Sequence, residues 1–321
     1  MYPLGPRGAR LPRVNARAGL VTAVVVVLAA VGFVVVRQAG GSDDVPTAGG
    51  TLAALTPTPT PTPTPPPTPS KASATRTVDP VAQLLAAKQR VVAQNPLYRV
   101  GRLPASRCKE PSVRPTSVAN VRRYYTEYIR CLDKVWKPVI EKAGFTFLPP
   151  RLDVFTGKTR TLCDVQDSAA YCGSGTISMN ATFDIDNYRR YNKLWARTTM
   201  AHLVAHEYGH HIQHLIGISD ASATRTSYLK GVDAPLLESR RIELQASCLS
   251  GVYLGADRNY FPVAGSWRQR WLWTISHRGD EWGTQRDHGS SKSHSRWTRR
   301  GFDTGTPAAC NTFTASAASV A

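Results

Sequence analysis

The sequence is informative first through what it lacks. Its six cysteines include no Cys-x-x-Cys pair, so a cysteine-based zinc site has no support. Acidic residues are few: 22 Asp and Glu stand against 40 Lys and Arg, which leaves a formal net charge of +18. The apolar run that ends at Val36 exceeds the usual signal-peptide core and no A-x-A cleavage site directly follows it, and both features disfavour a cleaved signal peptide. What remains is a strongly basic chain that is expected to keep its N-terminus.

The N-terminal quarter predicts an anchor and a stalk rather than a globular fold. The uncharged run LVTAVVVVLAAVGFVVV follows four arginines and is long enough to cross a bilayer as a helix. The positive-inside bias then leaves residues 1–17 in the cytoplasm, with residues 18–37 as a single transmembrane anchor. Residues 38–77 contain TPTPTPTPTPPPTPS, in which proline removes backbone donors, and predict a disordered linker. We expect the folded, extracytoplasmic domain over residues 78–321.

The excess positive charge raises the question of a nucleic-acid partner. The C-terminal run SWRQRWLWTISHRGDEWGTQRDHGSSKSHSRWTRR mixes basic residues with tryptophans, a pattern that nucleic-acid-binding proteins share. We predict no such partner, because an exported domain rarely meets intracellular nucleic acid. Four apolar residues of this run are expected in the core: Trp271, Leu272, Trp273 and Ile275. The charge instead favours attraction to the membrane surface or to anionic envelope polymers.

The six cysteines all follow the linker and are expected to pair with each other in a domain outside the membrane. Cys163 and Cys172 flank a short, mainly polar segment and predict a local bridge. Six cysteines permit fifteen connectivities, so spacing alone does not choose among them. Our prediction for the other four is Cys108 with Cys131 and Cys248 with Cys310.

Hydrophobic periodicity predicts an α+β domain. Residues 117–144 carry apolar side chains at helical spacing and end in a glycine suited to a helix C-cap. The segments PRLDVFTG and GTISMNATFDI are bounded by turn residues and predict short strands. Two further helices are predicted over residues 194–216 and 236–254.

Five of the eight histidines lie in the segment HLVAHEYGHHIQHL. His202, His206, His210 and His214 recur every four residues and therefore share one face of a helix. Each step drifts about 40° around the axis, so all four cannot reach one ion at roughly 2.0 to 2.1 Å, as zinc requires. Only the central pair has a glutamate after its first member, Glu207, which gives the HExxH pattern. In that pattern the two histidines bind Zn²⁺ and the glutamate takes a proton from a water at the metal.

HExxH alone arises by chance, so a third ligand is needed. The continuation HExxHxxGxxH is excluded because Gln213 and Ile216 occupy its glycine and histidine positions. We predict Glu243, about thirty residues after His210 on the second predicted helix, as the third ligand. Glu238 is the local alternative, but it lies five residues earlier and points in another direction.

Several short sequence motifs in this region resemble those of the neutral zinc metallopeptidases of bacterial envelopes. The family's AHExGHHxQ is matched by AHEYGHHIQ at residues 205–213, and its ELQADC by ELQASC at residues 243–248. Its GDD, HGTS and CxTF resemble residues 279–281, 288–291 and 310–313. The resemblance covers roughly residues 151–313. It implies a zincin-like metallopeptidase domain with a small sheet beside the HExxH helix, and Zn²⁺ as cofactor.

One departure from the family bears on activity. Ser247 stands where the family has aspartate, four residues after Glu243 and on the same helical face. An acid at this offset orients a zinc-bound histidine, and its loss costs roughly 10- to 100-fold in metal affinity or activity. A serine hydroxyl can accept a hydrogen bond from an imidazole N–H, though without charge. Ser247 therefore keeps open a second hypothesis, a metallopeptidase-like binding module with weak or no turnover.

Other polar residues have two interpretations each. His288 is predicted to donate a hydrogen bond to the oxyanion of the reaction, the alternative being a structural loop histidine. His211 is expected to pack or hydrogen-bond away from the metal, and Asp280 to cap a helix or turn. Gly209 is expected to allow close helix packing.

Together these features predict a membrane-anchored, extracytoplasmic zinc metalloendopeptidase that acts on peptides or proteins. The strand at residues 176–180 is expected to be an exposed edge on which an extended substrate lies. A metal-sequestering domain is a third hypothesis. It is disfavoured because the histidines lie on one regular helix rather than in a flexible His-rich tract.

Overall fold

The computed structural model describes residues 79–157, 168–281 and 285–321. The predicted anchor, the predicted linker and Cys163 lie outside these ranges. Within them, none of the helices is both long and apolar enough to cross a membrane.

The described chain is mostly helical, with one small sheet. Three strands follow the second helix: β1 (Arg151–Phe155), β2 (Ala169–Cys172) and β3 (Thr176–Asn180). The α-helices in chain order are α1 (Pro80–Ala93), α2 (Val118–Lys142), α3 (Ala181–Arg190), α4 (Lys193–Leu215), α5 (Ile218–Tyr228), α6 (Asp233–Ala256), α7 (Gly265–Ile275) and α8 (Ser291–Thr304). Short 3-10 helices lie at Pro96–Arg99, Pro307–Cys310, Thr312–Thr314 and Ala317–Val320. The α+β prediction is confirmed.

The three helices predicted from periodicity are α2, α4 and α6, with slightly shifted ends. Side-chain caps set two of these ends. The Ser117 hydroxyl accepts a hydrogen bond from the Asn120 backbone N–H at the start of α2. Asn192 accepts hydrogen bonds from the Leu194 and Trp195 N–H groups at the start of α4. Local capping and periodicity therefore agree with the tertiary fold along these segments.

The segment GTISMNATFDI is a strand only in its first half. β3 ends at Asn180, whose side chain accepts hydrogen bonds from the Thr182 and Phe183 backbone N–H groups and begins α3. A capping residue thus changes the chain from strand to helix. The strand prediction was wrong beyond this point.

The sheet has the order β1-β3-β2. β3 pairs in parallel with β1 and antiparallel with β2, and all five of its residues are buried. The prediction that residues 176–180 form an exposed edge was therefore wrong. β2 occupies an edge of the sheet instead, because β3 lies on one side of it and no described strand lies on the other.

Aromatic and aliphatic side chains of α2, α4 and α6 form much of one core. Trp271 and Ile275 of α7 are buried in it, as predicted, and Leu272 packs against it. Trp273 was predicted wrongly, since 47% of it is exposed. Its ring stacks on the ring of His277 at the surface instead of entering the core.

Two predicted disulfides are present. Cys108 bonds to Cys131 on α2, and Cys248 on α6 bonds to Cys310. The second bridge ties α6 to the C-terminal segment of the chain.

Candidate metal centre

Helices α4 and α6 bring three potential metal ligands together. His206 and His210 lie one turn apart on α4, and their Nε2 atoms are 3.2 Å apart. The Oε2 atom of Glu243, on α6, lies 3.2 Å from His206 Nε2 and 3.3 Å from His210 Nε2. The ligand-type atoms therefore form a nearly equilateral triangle.

This triangle fits a tetrahedral zinc site. Ligands at roughly 2.0 to 2.1 Å from a tetrahedral ion are about 3.3 to 3.4 Å apart, close to the observed edges. Two imidazole nitrogens and one carboxylate oxygen are a ligand set that catalytic zinc uses, with a fourth position open to water or substrate. The residues present therefore suit Zn²⁺ in both chemistry and spacing.

A close contact between α4 and α6 sets the distance between the histidines and the glutamate. A Cβ atom on Gly209 would lie 2.8 Å from the backbone Cα and O atoms of Ala246, which is closer than real Cβ contacts. Only glycine fits here without moving a helix. The close packing predicted for Gly209 is thus present, and it joins the helix that carries the two ligand histidines to the helix that carries Glu243.

Both histidines are also held through their second ring nitrogen. His206 Nδ1 lies 3.0 Å from Ser247 Oγ, and His210 Nδ1 lies 2.9 Å from Gln213 Oε1. Gln213 in turn donates hydrogen bonds to Ile242 O, at 2.8 Å, and to another amide of α6. A partner on Nδ1 fixes the ring and leaves Nε2 for a metal. Sequence reasoning gave Gln213 no role, although the word AHEYGHHIQ ends on it.

Glu207 is buried, with 6% of its surface exposed, and lines the same cleft as the triangle. Burial raises the pKa of its carboxyl to about 7, although the positive charges of His210 and Arg278 oppose this shift. A carboxyl with a pKa near neutrality can both take up and release a proton near pH 7.

The cleft has a volume of about 530 Å³. Its walls come from the triangle, from β2 with Tyr171, and from α5 with Asp220. The cleft places the triangle and Glu207 on a common surface.

A family comparison agrees with this geometry. A family model described as "putative neutral zinc metallopeptidase" matches residues 105–261, which include α2, the sheet, α4 and α6. The chain belongs to this family. The match begins before the segment recognised from sequence words and ends before HGSS and CNTF.

Similar chains occur in distant bacteria. The uncharacterized protein YpfJ of Escherichia coli K12 is 32% identical over 197 residues, which cover 56% of this chain and 67% of the relative. The uncharacterized protein Rv2575 of Mycobacterium tuberculosis H37Rv is 28% identical over 211 residues, which cover 57% of this chain and 68% of the relative. No solved structure matches the chain. These names state no activity.

Two further side chains line the cleft of this family member. His288 has Nε2 3.8 Å from Glu243 Oε2, while its Nδ1 lies 2.8 Å from Asp287 Oδ1. Arg278 also lines the cleft, and its buried Nε has no hydrogen-bond partner among the described residues. Sequence reasoning placed His288 here but missed Arg278, because no local pattern distinguishes one arginine within a basic run.

The remaining candidates lie apart from the triangle. Glu238, the alternative third ligand, is 2.7 Å from Arg225 Nε and faces α5. His211 Nε2 lies 2.8 Å from Leu148 O, in the structural role that was predicted. Asp280 accepts a hydrogen bond from the His288 backbone N–H at 2.7 Å, as a turn cap would. His202 is fully buried one turn before the ligand pair.

Proposed function

We propose that this chain is a membrane-anchored zinc metalloendopeptidase with a zincin-like domain outside the cytoplasm. One observation carries the reaction: Glu207 lines the same cleft as the His206, His210 and Glu243 triangle. Two histidines, a carboxylate ligand and an adjacent buried acid are the groups that hydrolysis by a metal-activated water requires. The anchor and the location rest on the basic and apolar pattern before residue 78.

Each side chain then has one task. Zinc, when bound, supplies Lewis-acid chemistry, which polarises the scissile carbonyl and lowers the pKa of water to roughly 7. The Glu207 carboxylate accepts the proton that the attacking water loses and delivers it to the leaving amine. Ser247 and Gln213 hold the two histidine rings in place through Nδ1.

The oxyanion that forms during attack needs positive charge or hydrogen-bond donors. Arg278 carries a permanent charge on the wall of the cleft, and that charge already lowers the pKa of Glu207 against the effect of burial. We assign Arg278 the electrostatic stabilisation of the oxyanion, with His288 as a donor at the rim. A charge partly surrounded by protein acts more strongly than the same charge in bulk water.

Substrate would lie along β2 rather than β3. Residues Ala169, Ala170 and Tyr171 of β2 line the cleft, and β3 occupies the other side of the strand. An extended peptide that pairs with β2 would gain backbone hydrogen bonds and bring a peptide bond to the triangle. Peptides and proteins are thus the proposed substrates, and the positive charge of the chain supports an association with anionic envelope polymers.

A catalytically weak or inactive binding module is the second candidate, because the hydroxyl of Ser247 replaces a carboxylate beside His206. One experiment separates the two. The full-length chain is purified in detergent, bound zinc is counted by mass spectrometry, and hydrolysis of labelled casein is compared between wild type and Glu207→Gln. Glu141→Gln, an exposed position on α2, is the matched control.

We expect about one zinc per chain in all three proteins, with hydrolysis lost only in Glu207→Gln. If the wild type binds zinc but does not hydrolyse casein, the binding-module hypothesis replaces the enzyme hypothesis. Several zinc ions per chain would favour metal sequestration instead.

A further inference from the structure

Ser247 lies between two imidazole rings. Its Oγ atom is 3.0 Å from His206 Nδ1 and also 3.0 Å from Nδ1 of His294, a residue of α8. All three side chains are buried, so none can exchange its partner for bulk water. The protons of this chain of three groups must therefore be arranged so that each bond has one donor and one acceptor.

Only one arrangement allows His206 to serve a metal. A neutral histidine that offers Nε2 to a metal carries its proton on Nδ1, so His206 Nδ1–H donates to Ser247 Oγ. A serine hydroxyl has a single proton, which must then point to His294. His294 Nδ1 is consequently an acceptor, and the proton of that ring lies on Nε2.

The surroundings of His294 agree with this arrangement. Burial and the nearby charge of Arg278 lower the pKa of His294 to about 3, which keeps the ring neutral at physiological pH. A neutral ring has one lone pair to offer, and the geometry directs it at the Ser247 hydroxyl.

We propose that His294 is a positioning residue for the metal centre, which fixes the Ser247 hydroxyl so that its oxygen accepts from His206 Nδ1–H. The inference rests on the proposed zinc role of His206. An aspartate at position 247, as in the ELQADC pattern, has no proton and can only accept. A serine hydroxyl can rotate and donate to His206, which would turn the ring's proton to Nε2 and remove the lone pair that a metal needs. His294 prevents this rotation, because its Nδ1 accepts the hydrogen bond that the Ser247 hydroxyl donates.

The packing of α6 on α8 keeps the three groups in register. A Cβ atom on Gly251 would lie 2.1 Å from Thr298 O, and one on Gly255 would lie 2.1 Å from Phe302 O. These backbone contacts follow the hydrogen-bonded pair at successive turns of both helices. The distance from Ser247 to His294 is therefore set by main chain rather than by mobile side chains.

The test measures zinc affinity of the full-length chain by competition with a chelator. His294→Phe keeps a ring but removes the acceptor, and His294→Asn restores an acceptor oxygen close to the Nδ1 position. Thr298→Val is the matched control, because it is buried one turn further along α8 and its Oγ1 has no hydrogen-bond partner among the described residues.

We expect His294→Phe to weaken zinc binding about tenfold, and His294→Asn and Thr298→Val to stay within about threefold of wild type. Ser247→Ala should weaken it about as much as His294→Phe, and the double variant should be no worse than either, because both changes break one chain of hydrogen bonds. Wild-type affinity in His294→Phe, or additive losses in the double variant, would overturn the inference.

A second measurement does not involve metal. Nitrogen NMR of histidine-labelled, metal-free protein reports which ring nitrogen carries the proton, and His206→Gln identifies the signal of His206. We expect the proton on Nδ1 of His206 in wild type and a shift toward Nε2 in His294→Phe. An unchanged Nδ1–H signal would contradict the inference.

If the wild type holds no zinc, the proposed function fails and the inference falls with it. If the wild type binds zinc and His294→Phe binds it equally well, only the inference is overturned and the proposed function stands.

Discussion

The two disulfides in the described part of the chain form a matched pair of perturbations. Cys248 directly follows Ser247 on α6 and bonds to Cys310, whereas Cys108 and Cys131 join the segment before α2 to that helix. We predict that replacing either pair by alanine destabilises the fold, but that only the Cys248/Cys310 replacement weakens zinc binding.

The expected loss of stability follows from the loop that each bridge closes. The cysteines of the Cys248–Cys310 bridge are 62 residues apart, and loop-closure entropy gives about 4 kcal/mol for its loss. The cysteines of the Cys108–Cys131 bridge are 23 residues apart, which gives about 3.5 kcal/mol. The two losses are similar, so a difference in zinc affinity would not come from global stability. Without its bridge, α6 has less support next to Ser247, and we expect zinc affinity to fall roughly tenfold.

Urea unfolding followed by tryptophan fluorescence gives the free energy of unfolding for wild type and for the two double-alanine variants. Chelator competition under native conditions gives the zinc affinity of the same samples. Equal zinc affinity in the two variants would refute the proposed link between the bridge and the metal centre. A loss of stability far below about 3 kcal/mol in both variants would contradict the loop-closure argument.

Three other outcomes are expected. Burial raises the pKa of Asp184 to about 8 despite the hydrogen bond from Tyr125 OH, so the folded state loses stability as pH rises from the unfolded-state pKa near 4 toward 8. Asp184→Asn should therefore raise the free energy of unfolding by an amount that grows from pH 5 to pH 8, on the order of a few kcal/mol, and a constant effect across that range would contradict this. Arg278→Gln should lower kcat about 100-fold with bound zinc unchanged, and wild-type kcat would remove its oxyanion role. Chelation should lower the thermal midpoint of wild type, because zinc binds only the folded site. It should not lower the midpoint of His210→Ala, which lacks one of the three ligands.

Local regularity explains which parts of the site could be predicted. His206 and His210 follow from four-residue spacing on a helix, and Glu243 follows from the requirement for a third ligand on another helix. The structure brings these three together, as expected from spacing. Ser247 could be placed beside them because it shares a helical face with Glu243.

The rest depends on contacts between distant segments, which carry no local signal. His294 reaches the site only because α8 packs backbone to backbone on α6. Arg278 is one of many basic residues in its segment, and its place in the cleft follows from the path of the chain after α7. The order of strands also depends on long-range pairing. β3 was wrongly predicted as an edge strand, because alternation along a sequence cannot tell a central strand from an edge strand.

The contact at Gly209 gives a physical reason for the glycine in the family's AHExGHHxQ pattern. A search pattern usually treats the two positions between glutamate and histidine in HExxH as wildcards. Here the second wildcard holds the two ligand-bearing helices at their working distance, since a Cβ would meet Ala246 at 2.8 Å. A pattern for this site should therefore be written H-E-x-G-H. A sequence with a larger residue at that letter is expected to show a compensating change on its second helix if it holds its ligands at the same spacing.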